Sequence, residues 1–290
     1  MPVEAASGDA PAILYLIGTA RCGSTALAAV LAGHTEIRWR GELIHLVNSV
    51  PGGSLCSCGR ELVECDVWRR LKIHDQLRAQ MEYCHRYESH WSALTTMLFP
   101  KRIPIAYEDA QIAMLKVLAA PGETLLDSSK YVGRGLALST CSAINTHFIY
   151  MVRDPRGVVF SFSKNVQTRR NTISACMYYM AVNIVAEIAT RWTLRGRVVK
   201  LRYEDLLNDP ETTIRKIGEL TGMSMDAVVE HLHSDAALQA DHVAGGNRWV
   251  LSGSSQLRHD RAWQDEMGFA RRLLIHLLCF PLQLVNRYRL

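Results

Sequence analysis

Gly18-Thr19-Ala20-Arg21-Cys22-Gly23-Ser24-Thr25 follows directly on the apolar run Ala12-Ile13-Leu14-Tyr15-Leu16-Ile17. The two together read as a strand, a glycine-bounded turn and a helix start. They fill the phosphate-loop frame G-x-x-x-x-G-K-[ST] at every fixed position but one, since Ser24 stands where the lysine belongs. Such a turn aims backbone amides at an anion. Without the lysine it lacks the point charge that a nucleoside triphosphatase sets on its outer phosphates. The cation lies inside the loop instead, as Arg21. The loop suits a small phosphate-like group and is poorly made for ATP or GTP hydrolysis.

Outward from this loop the chain alternates strands with helices. Apolar, β-rich runs at 13–17, 124–126, 147–152 and 198–201 predict buried parallel strands. Helical stretches are expected at 24–31, 109–118, 132–141, 155–164 and 173–192. The pattern argues for an α/β fold, a central parallel sheet flanked by helices with P-loop-like architecture.

A chain of 290 residues with 48% hydrophobic and 21% charged residues reads as an ordinary soluble globular protein with a substantial core. A net charge of +5 suits an anionic ligand. The doublets Arg69-Arg70, Arg169-Arg170 and Arg271-Arg272 are dispersed and read as solvated faces, so no nucleic-acid partner is expected. The first ten residues carry two acids and no base, which is unlike a secretory signal. No run approaches the ~20 apolar residues that cross a bilayer, and no membrane span is expected. His276 and Pro281 interrupt the C-terminal run 273–285, which reads as a packing helix. Eight cysteines are too few for a secreted disulfide scaffold, so a reducing cytoplasm is the expected compartment.

A second anion element lies at Tyr150-Met151-Val152-Arg153-Asp154-Pro155-Arg156, continuing to Ser161. A strand ends at Arg153, Asp154 can cap, and Pro155 favours the first helical position. Arg153 thereby lands at the carboxyl edge of the sheet, where open α/β folds bind ligands. A guanidinium with a hydroxyl suits a terminal phosphate. The competing reading is a local salt bridge between Arg153 and Asp154.

Taken together, the two loops resemble those of the sulfotransferases that use 3′-phosphoadenosine 5′-phosphosulfate. Arg21-Cys22-Gly23-Ser24-Thr25 is similar to the family's 5′-phosphosulfate loop R-S-G-[ST]-T, with Cys22 in the usual serine's place. Arg153 and Ser161 resemble its 3′-phosphate motif. Tyr203-Glu204-Asp205-Leu206, Gly246-Asn247-Arg248 and the pair Asp260 and Trp263 resemble later elements in the right order. The resemblance implies a single sulfotransferase domain over 1–290. Both nucleotide loops would lie in 11–165, with a cysteine-containing insertion near 51–68, and 166–290 would complete the site. Its implied activity is sulfuryl transfer from that donor to a hydroxyl or amine of a small-molecule, peptide, carbohydrate or lipid acceptor, with no metal required. Arg21, Cys22, Gly23, Ser24, Thr25, Arg153, Ser161, Tyr203, Asn247 and Arg248 would hold the donor. The alternatives are a P-loop kinase-like phosphotransferase and a non-catalytic nucleotide-binding protein.

In-line displacement at sulfur needs positioning and cationic donors, with Arg21 placed to stabilise the leaving group. A base must take the acceptor's proton. Glu42, in Arg40-Gly41-Glu42-Leu43, is the candidate, since it resembles the G-E element of the family's tyrosylprotein and related bacterial branches, with His45 in reserve. Asp127-Ser128-Ser129-Lys130 resembles a D-S-S-K element of bacterial members, which implies that Ser128 or Lys130 touches the transferring sulfuryl group or the acceptor. Cys56, Cys58 and Cys65 form a C-x-C-x6-C run with no adjacent fourth ligand, so no metal site is assigned. A remote side chain or His45 would have to complete it. A disulfide from Cys65 to Cys56 or Cys58 is sterically open but suits the compartment poorly. Tyr83, Tyr87 and Trp91 at helical spacing read as a buried stripe, with an acceptor wall as the alternative.

Overall fold

The computed structural model describes residues 10–45, 54–71, 84–164, 169–234, 241–244 and 262–289. Five strands, β1 (Ala12–Gly18), β2 (Ile37–Gly41), β3 (Thr124–Lys130), β4 (Asn145–Val152) and β5 (Val198–Arg202), form one parallel sheet in the order β2-β3-β1-β4-β5. Alternate residues of β1 serve opposite faces: Ile13, Tyr15 and Ile17 enter one core, Leu14 and Leu16 the other. That period of two, apolar on both sides, marks a strand buried between two helical layers.

The helices are α1 (Ser24–Leu31), α2 (Ser92–Leu98), α3 (Ile105–Leu118), α4 (Val132–Ser139), α5 (Pro155–Ser163), α6 (Thr172–Trp192), α7 (Tyr203–Asn208), α8 (Pro210–Thr221), α9 (Asp226–His233), α10 (Ala262–Glu266) and α11 (Phe269–Val285). Residues of α3, α4 and α6 share a core with one face of the sheet, and those of α1, α8 and α9 with the other. A third cluster joins α5, α6 and α11.

The strand β2 was not anticipated. Ile37-Arg38-Trp39-Arg40-Gly41 places charge at every second position, the pattern of an edge strand rather than of a buried parallel one. Arg38 pairs with Glu123 at 2.6 Å, and Arg40 donates to the carbonyls of Leu118 and Asp241, each at 3.0 Å.

The aromatic stripe needs correcting. Trp91 is 76% exposed and only Tyr87 packs partly against the core, while Tyr83 lies outside the described residues. The reason is local: the helical turn at 84–88 ends before Trp91, which sits at the N-terminus of α2, so the two share no continuous helix face.

Helix α6 also departs from expectation, because by length and composition it is apolar enough to cross a membrane. In this fold one side of it, including Ala175, Tyr179, Val182 and Ala186, is buried. Helix α11 packs through Ile275, Cys279 and Leu282 and leaves Leu277 and Leu284 exposed.

Candidate active site

The sheet order fixes where the two anion elements meet. Strands β3 and β2 lie on one side of β1 and β4 and β5 on the other, so the strand order switches direction at β1 in an otherwise parallel sheet. Gly18 at the end of β1 is in register with Met151 near the end of β4. The loops that follow, carrying Arg21 and Arg153, therefore emerge side by side at the carboxyl edge.

Arg21 has a left-handed backbone with φ 68°, and Gly23 follows with φ 93°. A Cβ at Gly23 would lie 2.1 Å from Cδ2 of Tyr203, so glycine is required by backbone and packing alike. The first turn of α1 has no side-chain cap, which leaves that end of the helix suited to an anion. The Arg21 carbonyl accepts from Arg153 Nη1 at 3.1 Å, and the Arg153 guanidinium lies 4.5 Å from the centre of the Tyr203 ring. Asp154 caps α5 by accepting from the Arg156 amide, and its carboxylate is bound by the Arg156 guanidinium. The acid's local partner is thus Arg156, and Arg153 faces the loop.

A cavity of about 570 Å³ opens here, lined by Arg21, Gly23, Ser24, Thr25, Glu42, His45, Lys130, Arg153, Ser161 and Tyr203, joined by His90, Phe162, Arg170 and Tyr178. Two proposed residues are placed elsewhere. The Cys22 side chain is fully buried in the core beneath β1, where burial pushes its thiol upward. Only its backbone can serve a ligand, and cysteine for serine there costs the cavity no donor. Ser128 is also buried and does not line the cavity: its hydroxyl accepts from Trp39 Nε1 at 3.1 Å and donates to the Gly41 carbonyl at 3.0 Å. Asn247, Arg248 and Asp260 lie outside the described residues.

Every residue of Asp127-Ser128-Ser129-Lys130 supports the turn that carries Glu42. Asp127 accepts from the Leu43 amide at 3.4 Å, Ser129 from the Ile44 amide at 3.0 Å, and Ser128 holds Gly41. Lys130, at φ 74°, turns its ammonium onto Glu42 Oε1 at 2.5 Å. His45 Nε2 lies 3.4 Å from the other carboxylate oxygen. Burial alone would raise the Glu42 pKa, but Lys130 and His45 outweigh it and hold the carboxyl at about 2.

Asp127 is itself anchored from below. Arg134 Nε donates to it at 2.8 Å, and Arg134 also pairs with Glu88. Tyr107 donates to Glu88 at 2.9 Å, which completes a buried polar network under the site.

Three lining residues had no sequence signal. His90 stacks on Tyr131 with ring centres 4.4 Å apart, and burial, with Lys130 nearby, lowers its pKa to about 4. Tyr178 accepts from the Ala20 amide at 3.2 Å and braces the loop. Arg170 stands 4.7 Å from the Tyr178 ring centre, with its buried Nε lacking a partner. The doublet Arg169-Arg170 is therefore split: Arg169 is exposed and Arg170 faces the cavity.

A second cavity of about 590 Å³ adjoins through Arg153 and Tyr203 and is lined also by Arg156, Arg202, Glu204, Trp263 and Tyr288. Glu204 is turned away from the loop, accepting from the Asp154 amide at 3.0 Å and from Tyr288 at 2.8 Å.

Residues 144–227, from the start of β4 into α9, match a family model described as the sulfotransferase family. Human carbohydrate sulfotransferase 6 is 24% identical over 158 residues, which cover 47% of this chain and 40% of that protein. The chain thus matches less than half the length of this curated relative. The sulfotransferase domain of the olefin synthase from Synechococcus PCC 7002 superposes with a TM-score of 0.55 at 20% identity, covering 100% of this chain and 99% of that domain. The sulfotransferase domain from the curacin biosynthetic pathway gives 0.56 at 18% identity, covering 94% and 98%. Both likenesses are of fold.

Proposed function

We propose that this protein, which is similar to sulfotransferases over part of its sequence and shares their fold, moves a sulfuryl group from 3′-phosphoadenosine 5′-phosphosulfate to a hydroxyl or amine. The acceptor forms a bond to sulfur while the bond from sulfur to the bridging oxygen breaks. The acceptor's proton passes to a base, and the electron pair of the broken bond leaves on adenosine 3′,5′-bisphosphate. The supporting observation is a single cavity in which Arg21, Lys130, Arg153 and Arg170 surround the Gly23 turn, with Glu42 as its carboxylate among the described lining residues.

In this reading the turn at Gly23, Ser24 and Thr25 receives the 5′ side of the donor. Arg153 and Ser161 receive the 3′-phosphate beside the ring of Tyr203. Arg21 and Lys130 supply charge to the transferring and leaving groups, by analogy with phosphoryl transfer. Glu42 is the base. Its depressed pKa makes it a weak one while Lys130 holds it. A sulfonate that draws the Lys130 ammonium away leaves burial as the main influence on Glu42, and burial raises its basicity. Loading the donor thus arms the base.

A sugar hydroxyl is the first acceptor to test, since the curated relative is named for carbohydrate. The cytoplasmic compartment belongs to the proposal too, supported by eight cysteines that are all unbonded.

Calorimetric titration with adenosine 3′,5′-bisphosphate, beside ATP with magnesium, tests the reading. Saturable bisphosphate binding with little response to ATP is expected. Magnesium-dependent ATP turnover without bisphosphate binding overturns it in favour of a phosphotransferase.

A further inference from the structure

Three cysteines that sequence left without a fourth partner acquire one in the fold. Cys56, Cys58, Cys65 and His242 bring their ligand atoms within 4.8 Å of one another. Cys65 Sγ lies 3.1 Å from His242 Nδ1 and 3.6 Å from Cys56 Sγ, and Cys56 Sγ lies 3.9 Å from the same nitrogen. A tetrahedral zinc with ordinary bond lengths spaces its sulfurs about 3.8 Å apart and a sulfur and nitrogen about 3.6 Å apart. We propose that Cys56, Cys58, Cys65 and His242 form a closed structural zinc site.

The surroundings are built for it. Residues 55–61 form a tight hairpin: Leu55 bridges Glu61, the Gly59 amide donates to the Cys56 carbonyl at 2.9 Å, and Gly59 takes φ 85°. His242 adopts φ 51°, a costly conformation for a non-glycine residue, and it aims Nδ1 at the sulfurs. Its other nitrogen, Nε2, lies 3.2 Å from Asp241 Oδ1, the carboxylate partner that orients a metal-bound imidazole. Trp68 Nε1 fixes the His242 carbonyl at 3.1 Å. A disulfide does not fit, because its sulfurs would stand about 2.05 Å apart and all three cysteines are free.

Zinc here would clip the hairpin to 241–244, and that clip reaches the candidate base. Ala244 donates to the Arg40 carbonyl and accepts from the Glu42 amide, each at 3.2 Å. The turn carrying Glu42 is thus braced by Asp127 and Ser129 on one side and by the clipped segment on the other. Four protein ligands leave no open position, so the metal's part is structural and the sulfuryl chemistry does not pass through it.

The test is elemental analysis of the full chain, purified without chelator and dialysed. One zinc ion per chain is expected, with the mass of free thiols under non-reducing conditions and a tetrahedral thiolate spectrum on cobalt exchange. Cys58→Ser and His242→Ala should each lose the ion. Asp241→Asn should keep the fold but weaken zinc, read against a chromophoric chelator, by about 10–100-fold. Should the first two variants fail to fold, the metal content of the native chain and the Asp241→Asn affinity still decide. A folded, metal-free chain whose melting does not respond to added zinc overturns the proposal. So does a mass showing a disulfide among the three cysteines.

Discussion

Lys130 Nζ stands 2.5 Å from Glu42 Oε1, and the pair closes the end of the D-S-S-K strand over the turn that follows β2. One contact therefore joins the ends of two neighbouring strands, β2 and β3, neutralises the cavity's carboxylate and lowers its proton affinity. Glu42 and Lys130 act as a unit, and neither can be altered without retuning the other.

Lys130→Met removes the charge that holds Glu42 down and leaves burial, which raises the carboxyl. Carbon-13 NMR of the Glu42 carboxyl should place its titration near 2 in the native chain and clearly higher in the variant. Linkage has a definite sign here. With its folded pKa depressed, Glu42 stabilises the fold above its ordinary value near 4.5 and loses that contribution as pH falls towards about 2. A Glu42 titration unmoved in Lys130→Met would show that the pair does not control the base.

Glu42→Gln is nearly isosteric and keeps an acceptor for Lys130. It should leave bisphosphate affinity within a few-fold while lowering kcat by about 10²–10⁴-fold, the usual reach of general-base catalysis. His45→Ala should do far less, because His45 touches the candidate base and is not that base. The opposite ranking of the two variants would move the base to His45.

Arg153→Ala should weaken adenosine 3′,5′-bisphosphate by about 1.5–3 kcal/mol, roughly 10–150-fold, the range of a charged hydrogen bond. Affinity for the 5′-monophosphate should change little, since Arg153 is assigned to the 3′ side. Equal losses for the two nucleotides, measured calorimetrically, would place the arginine elsewhere.

Much of this was legible in local sequence. The strand, the glycine turn and α1 could be read because backbone conformation at Gly23 and the apolar run before it are local constraints. The boundaries of α5 followed from Asp154 and Pro155, which act within one turn. What escaped is set by chain-distant packing. Strand β2 hid because Arg38 and Arg40 find partners in Glu123, Leu118 and Asp241. Ser128 lies two residues before Lys130, and a regular strand would put both on one face. The left-handed φ of 74° at Lys130 and the register shift between Asp127 and Lys130 break that period, so Ser128 points to Trp39 and Gly41 while Lys130 reaches Glu42. His242 lies 177 residues beyond Cys65, a separation no spacing rule covers.

Arg134, 1% exposed, is the cation between the buried carboxylates of Asp127 and Glu88. Arg134→Met would leave both acids without it, and the expected cost is about 3–5 kcal/mol. Asp127 would lose its anchor beneath the Leu43 and Ser129 amides, so kcat should fall with stability. Burial raises the Glu88 pKa, but the Arg134 charge together with hydrogen bonds from His85, Tyr107 and Arg134 outweighs it and depresses the carboxyl. The pair therefore stabilises at neutral pH and releases as pH drops below the ordinary carboxylate range. Chemical denaturation at pH 7 and near pH 4 checks both points: the destabilisation should shrink in acid, and an equal loss at the two values would contradict the ion-pair account.

Gly41 offers the sharpest structural perturbation. It sits at φ 91°, and a Cβ there would lie 2.0 Å from the Ala244 carbonyl oxygen. That oxygen accepts the Glu42 amide, while Ser128 Oγ donates to Gly41's own carbonyl. Gly41→Ala must therefore part the β2 end from 241–244, with left-handed strain of about 1–2 kcal/mol added. The Gly23 loop, proposed to receive the donor, follows β1, so bisphosphate affinity should survive while kcat falls. Zinc affinity should fall with it, because Ala244 is two residues from His242. A variant that kept full turnover and affinity for both ligands would show that the 241–244 segment does not brace the base.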